Sequence, residues 1–103
     1  ATEIVVLDVY DPLVTGDYIN GVRHGEFIVR YPSGQKSSQG AYRRGKPQGM
    51  WRYWTETGSL QGQGVYNAGK MEGRWEFQYE NGESQVAWYR DGRAVPPPVS
   101  QSQ

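Results

Sequence analysis

The sequence predicts an all-β protein, an antiparallel meander of stacked β-hairpin repeats forming one single-layer, twisted sheet. Three observations carry that reading. Glycines recur on a 24-residue lattice: at 16, 40 and 64, at 21, 45 and 69, at 25, 49 and 73, and at 34, 58 and 82. Within each repeat, apolar and polar residues alternate with period two, the pattern of a half-buried strand. Turn-forming residues fall at fixed places between the alternating stretches.

The lattice holds 13 of the 14 glycines; Gly92 joins it after a one-residue deletion, and Gly62 stands outside it. Tyr18, Tyr42 and Tyr66 keep the period, as do Phe27, Trp51 and Trp75. Residues 40–63 and 64–87 share nine identities in 24 positions, and 16–39 shares six with 40–63. The predicted repeat domain is therefore 16–93, built from units 16–39, 40–63, 64–87 and a partial unit 88–93. Each unit must stack on its neighbours, because a lone repeat cannot bury its apolar face.

Residues 1–15 are expected to lead into this array, with Glu3–Val9 as an extra strand. The first strand of each unit reads Gly25 to Tyr31, Gly49 to Thr55 and Gly73 to Tyr79. Eight of the nine odd positions from the ring onward (27, 29, 31 and their equivalents) are apolar or aromatic. A turn follows at Pro32-Ser33-Gly34, Glu56-Thr57-Gly58 and Glu80-Asn81-Gly82, where the glycine supplies positive φ. The second strand runs through Gly40-Ala41-Tyr42, Gly64-Val65-Tyr66 and Ala87-Trp88-Tyr89. The Gly-x-x-x-Gly stretches that follow (Gly21 to Gly25, Gly45 to Gly49, Gly69 to Gly73) are expected as wider turns. Residues 94–103 are too rich in Pro, Ser and Gln for a sheet and are expected as a tail or extended strap.

With eight tyrosines and four tryptophans but two phenylalanines, the core should consist of rings laid on glycines of neighbouring strands, where no Cβ obstructs them. The expected core residues are Phe27, Tyr31, Tyr42, Trp51, Tyr53, Tyr66, Trp75, Phe77 and Tyr79.

Composition excludes several function classes. Eleven Lys and Arg balance eleven Asp and Glu, which argues against nucleic-acid binding. There is no cysteine and a single histidine, His24, so neither a thiolate zinc site nor a His-rich metal cluster is expected. No metal or other cofactor is implied. The longest apolar run, Ile4-Val5-Val6-Leu7, is four residues, far below a membrane-spanning helix.

Three features invite a catalytic reading and fail it. Gly40 to Lys46 and Gly64 to Lys70 both read G-x-x-x-x-G-K, the start of a phosphate-binding loop. Pro47 and Met71 then stand where Ser or Thr would hold magnesium, and a strand follows where a helix is needed. His24, expected in a turn, has no orienting partner or nucleophile beside it. Glu80 and Glu83 flank a turn as solvated charges. No catalytic residue is assigned, and an enzyme is not expected.

The charges segregate along the repeat. Arg23, His24, Arg43, Arg44, Lys46 and Lys70 cluster at the Gly-x-x-x-Gly turns, while Glu56, Glu80 and Glu83 sit at the opposite turns. A meander puts these turns on two different rims, one basic and one acidic. Trp54, Met50 and Ile28 break the polar positions of their strands, and Trp88 adds a ring on the last hairpin. Aromatic rings and arginines dominate binding hot spots. Trp54, Arg52 and Met50 are therefore the expected partner contacts, with Trp88, Arg44 and Arg43 as further members.

The pattern Gly64-Val65-Tyr66, Gly69-Lys70, Gly73-Arg74-Trp75 and Gly82 resembles the MORN repeat, in particular the bacterial variant of the YwqK-type antitoxin family. Gly40, Tyr42, Gly45, Lys46, Gly49, Trp51, Tyr53 and Gly58 repeat the match. The first unit departs, with Val22 for the lysine and Phe27 for the tryptophan. The resemblance implies a binding and assembly sheet without chemistry of its own, and for the bacterial variant an antitoxin that neutralises a toxin by binding it. The expected function is thus a non-catalytic protein-binding module of antitoxin or immunity type, with another protein, a toxin or secreted effector, as partner. The alternatives are a homo-oligomeric envelope-assembly protein and a module for glycans or lipid headgroups. Residue 1 is alanine, which fits an exported or periplasmic protein after signal cleavage, the cytoplasm being the alternative.

Overall fold

The structure is a computed structural model and describes residues 13–98. Eight strands follow in chain order: β1 (Val14–Ile19), β2 (Val22–Arg30), β3 (Lys36–Arg43), β4 (Lys46–Trp54), β5 (Leu60–Asn67), β6 (Lys70–Gln78), β7 (Ser84–Arg90) and β8 (Arg93–Val95). Each pairs antiparallel with its sequence neighbours, so the sheet order is β1 to β8. The predicted all-β hairpin meander is the fold. The lead-in strand expected at Glu3–Val9, and residues 99–103 of the tail, lie outside the described residues. Strand β8 reaches Val95, two residues into the stretch expected as tail. Pro96 to Pro98 then end the pairing, since proline has no N–H to offer a neighbour.

Two kinds of hairpin alternate. On one rim the chain reverses through Asn20-Gly21, Arg44-Gly45, Ala68-Gly69 and Asp91-Gly92, all with positive φ at both residues. These are two-residue turns of the type whose twist matches that of the strands. The wide Gly-x-x-x-Gly turn expected from sequence is therefore corrected. Its first glycine closes the tight turn, and its second, Gly25, Gly49 or Gly73, lies inside β2, β4 or β6 at φ 79°, 85° and 77°. For the same reason Arg23 and His24 belong to β2, with His24 opposite Asp17.

The inner glycines have a structural task. Around each, the strand is bulged: His24 to Ile28 faces Asp17 to Thr15, Gln48 to Arg52 faces Ala41 to Gln39, and Glu72 to Glu76 faces Val65 to Gln63. Such a bulge bends the strand and re-aims the next side chains. It brings the ring two residues on over a glycine of the preceding strand. Phe27 covers Gly16, Trp51 covers Gly40 and Trp75 covers Gly64, so closely that an added Cβ would lie 2.4, 2.1 and 2.1 Å from ring carbons. The indole N–H of Trp51 donates to the Ala41 carbonyl, and that of Trp75 to the Val65 carbonyl, each at 3.1 Å.

These three rings are the buried hydrophobic core, at 2, 5 and 1 % exposure for Phe27, Trp51 and Trp75. Tyrosines bridge them edge-on: Tyr18–Phe27–Tyr42–Trp51–Tyr66–Trp75–Tyr89 runs across the sheet with centroid spacings of 5.6, 5.0, 5.2, 5.9, 5.1 and 6.4 Å. Edge-to-face contact sets the positive ring edge against a negative face. The core expectation needs one correction: Tyr79 is 49 % exposed. In the first unit Tyr31 donates its hydroxyl to the Trp54 carbonyl at 2.7 Å, in the strand one repeat on. Tyr79 closes the last complete unit, has no such strand ahead of it among the described residues, and its hydroxyl donates instead to Gln85.

On the other rim, three-residue loops end in Gly34, Gly58 and Gly82, whose N–H groups donate to Tyr31, Thr55 and Tyr79 carbonyls at 2.8, 3.0 and 3.0 Å. The register slips by one residue beside these loops in β2–β3 and β4–β5 but not in β6–β7. The one-residue deletion in the last unit has removed that bulge residue, and β7 has seven residues where β3 and β5 have eight.

Ala68 holds a left-handed conformation, φ 51°, at a position where the other turns use Asn20, Arg44 and Asp91. Alanine gains nothing there to offset its Cβ crowding, whereas asparagine tolerates it. Ala68→Asn is expected to stabilise by about 1 kcal/mol, seen as a melting temperature raised by a few degrees.

Candidate functional site

A single-layer sheet has two faces, and alternation along each strand assigns the residues to them. The ring face carries Phe27, Tyr42, Trp51, Tyr53, Tyr66, Trp75 and Phe77. The reverse face carries Met50, Arg52, Trp54 and Trp88, four of the six residues singled out by sequence as partner contacts.

Met50, Arg52 and Trp54 alternate along β4 and share the reverse face. Met50 is 47 % exposed and lies opposite Val65, itself 38 % exposed. Arg52 is opposite Gln63 and donates to its Oε1 at 3.0 Å; Gln63 in turn donates to Glu76 at 2.9 Å, and Arg74 contacts the same carboxylate. Donation from Gln63, then from Arg74, holds the Glu76 carboxyl below the usual range. Trp54 is half-buried beneath the Lys36 ammonium, 5.9 Å from the ring centroid, a cation–π contact. The three residues therefore differ in role: Met50 projects, Arg52 is held in a polar ladder, and Trp54 is partly covered.

The remaining sequence-selected residues do not join them. Trp88, half-buried, sits on β7 opposite Arg74 and Val95. It shares the reverse face, about 14 Å from β4 by strand spacing. Arg43 and Arg44 are exposed at the β3–β4 hairpin, on the basic rim. That rim also carries Arg90 and Arg93 around the last hairpin. Its hairpins are tied together: the N–H groups of Gly45, Gly69 and Gly92 donate to the carbonyls of Arg23, Pro47 and Met71 at 3.2, 2.9 and 3.0 Å. Gln48 and Glu72 side chains accept from the next turns, at Ala68 and Asp91. Arg23 lies over the Phe27 and Tyr42 rings and donates to the Tyr42 hydroxyl at 2.9 Å.

The ring face holds a hollow that the sequence reading did not single out. It is a groove of about 390 Å³ with Gly62 in its floor and Tyr53, Tyr66, Met71, Trp75 and Phe77 around it. Trp75 is within 29° of parallel to Tyr53 and 22° of parallel to Phe77. Tyr53 and Tyr66 hydroxyls meet at 3.0 Å, and burial, then that hydrogen bond, raise the Tyr53 phenol well above its ordinary value. The sequence signal for this place was the one glycine off the lattice.

Among the described residues, no group of three His, Cys, Asp or Glu could hold a metal ion, and no helix is long and apolar enough to cross a membrane. Both G-x-x-x-x-G-K stretches run from a strand through a tight turn into another strand, where a phosphate loop would open a helix. No protein-family model matches the chain, and no curated protein matches it.

Proposed function

We propose that this chain is a non-catalytic protein-binding module of the MORN-repeat kind, and within that class an antitoxin or immunity protein that neutralises a partner toxin by direct binding. The observation supporting the reading is the exposed Met50–Val65 pair beside the fixed Arg52 guanidinium. Among the described residues the sheet buries its core rings without a second layer, so a partner finds this face preformed and loses little entropy in ordering it. Arginine already held by a neighbour presents its remaining donors in a set direction.

Met50→Ala and Arg52→Ala are each expected to weaken partner binding by about 1–3 kcal/mol while the fold persists, since both side chains are exposed. The test is capture of partners from the source organism's extract, read by mass spectrometry, with the folded variants in parallel. One stoichiometric protein, lost with the variants and inhibitory to growth when expressed alone, supports the antitoxin reading. Capture of the chain itself favours the assembly protein, and capture of glycan or lipid favours the headgroup module; either outcome overturns the proposal.

A further inference from the structure

The first tight hairpin differs from the later ones in what its glycine N–H does. The N–H groups of Gly45, Gly69 and Gly92 donate to the carbonyls of Arg23, Pro47 and Met71, each just past the turn before. No hairpin precedes Asn20-Gly21 among the described residues, and the Gly21 N–H has no such acceptor there. The residue in front of it is an exposed asparagine whose side chain makes no hydrogen bond among the described residues.

That combination is reactive. The main-chain nitrogen that follows an asparagine can attack the side-chain carbon Cγ. The nitrogen–Cγ bond forms, the Cγ–Nδ2 bond breaks, and ammonia leaves behind a five-membered cyclic imide. Water then opens the imide at the side-chain carbonyl to give aspartate, or at the main-chain carbonyl to give isoaspartate. The ring contains the Cα–C bond and so holds the asparagine ψ at about −120°, the value in hairpin turns with φ positive at the first central residue only. Asn20 already has φ 53°. Only the Asn20–Gly21 peptide has to flip, glycine accepts φ of either sign, and both turn types suit the twist of the strands. With its N–H unengaged, Gly21 flips and attacks without giving up a hydrogen bond.

The chain's other asparagines are Asn67 and Asn81. Asn67 precedes Ala68, whose N–H donates to Gln48 Oε1 at 2.8 Å. Asn81 precedes Gly82, the same dipeptide as at Asn20, but there both reacting groups are held. The Gly82 N–H donates to the Tyr79 carbonyl at 3.0 Å, and Asn81 Oδ1 accepts from the Glu83 N–H at 2.9 Å. We infer that Asn20 is a site of spontaneous modification, converting through a cyclic imide with Gly21 to aspartate and isoaspartate, while the fold protects Asn67 and Asn81. The aspartate product adds a carboxylate to the basic rim, one hairpin away from Arg43 and Arg44. The isoaspartate product adds a carbon to the main chain, which a two-residue turn takes up only by loosening the Ile19–Val22 pair. Both products accumulate with the age of the chain. They lie in a different hairpin from Met50 and Arg52, so the reverse-face reading stands or falls separately.

The test is incubation of the whole folded chain in mildly alkaline buffer, followed over time by proteolysis and peptide mass spectrometry. Isoaspartate is read by labelling with an isoaspartyl methyltransferase. Asn20 is expected to convert at least about tenfold faster than Asn81 and to yield both products. In denaturing urea the two Asn-Gly pairs are expected to convert at similar rates, because the hydrogen bonds that distinguish them are gone. No conversion at Asn20, conversion at Asn81 as fast or faster, or aspartate without isoaspartate at position 20 overturns the inference. A gap that persists unchanged in urea overturns it too, since the flanking residues and not the fold would then set the rates.

Discussion

Trp75→Ala is expected to destabilise the protein by about 3–5 kcal/mol, a large part of the roughly 5–15 kcal/mol that holds a domain of this size folded. Trp75 is the most buried core ring at 1 % exposure. It roofs Gly64, donates to the Val65 carbonyl, meets Tyr66 and Tyr89 edge-on, and lies alongside Tyr53 and Phe77. Alanine leaves Gly64 bare, and among the described residues no second layer is available to collapse into the gap. Trp75→Phe should cost much less. Phe27 performs the same covering in the first unit without an indole N–H, so the loss there is a smaller ring and one hydrogen bond of about 1 kcal/mol. Urea unfolding followed by circular dichroism separates the two variants. Equal effects would mean that the ring's cover of glycine is not what holds the strands.

The second large effect is a contrast within one strand. Gly64→Ala puts a methyl carbon 2.1 Å from Trp75 Cδ2 and must expel the indole from its seat, breaking the Val65 hydrogen bond with it. The expected cost is at or above the top of the ~1–3 kcal/mol range for overpacking. Two residues earlier, Gly62→Ala meets only mild crowding, and removing a glycine restricts the unfolded chain by about 0.4–1 kcal/mol. Its net effect is expected near zero. The pair can be measured in one set of thermal melts. Similar losses for both would show that β5 tolerates no side chain at either place.

The strands, the three-residue loops and the seating of rings on glycines were legible because they recur. A position that must be glycine three times, beside a position that must be a ring three times, can be read as a contact before any coordinates exist. The tight turns are announced at Asn20-Gly21 and Asp91-Gly92, dipeptides that such turns favour, and hidden at the other two hairpins. Arg44 and Ala68 are poor left-handed residues, so nothing in their identity announces a two-residue turn, and the inner glycines read as turn ends in the sequence while they serve as bulges. Tyr79 matched the core pattern yet is exposed, because its covering strand would belong to a repeat the described array does not reach. Among the selected contacts, Met50 and Arg52 are open as their alternation suggested. The partial cover of Trp54 by Lys36 depends on a neighbouring strand, and no pattern along β4 could reveal it. Gly62 was visible only as an exception to the lattice, and its place between Tyr53 and Phe77 needed the strand register.

The hydrogen bonds that join each tight hairpin to the one before it follow the same spacing as the rings, and every strand packs chiefly on its sequence neighbours. Nothing in such an array fixes how many units it must have. A duplicated copy of residues 40–63 would present to each side the same surface that is already accepted there. Each added unit would lengthen the sheet by two strand spacings, about 9.5 Å, and would carry one more buried core ring and one more hairpin on each rim. The protein can therefore change its reach in whole steps by unequal recombination, without passing through a sequence that fails to fold.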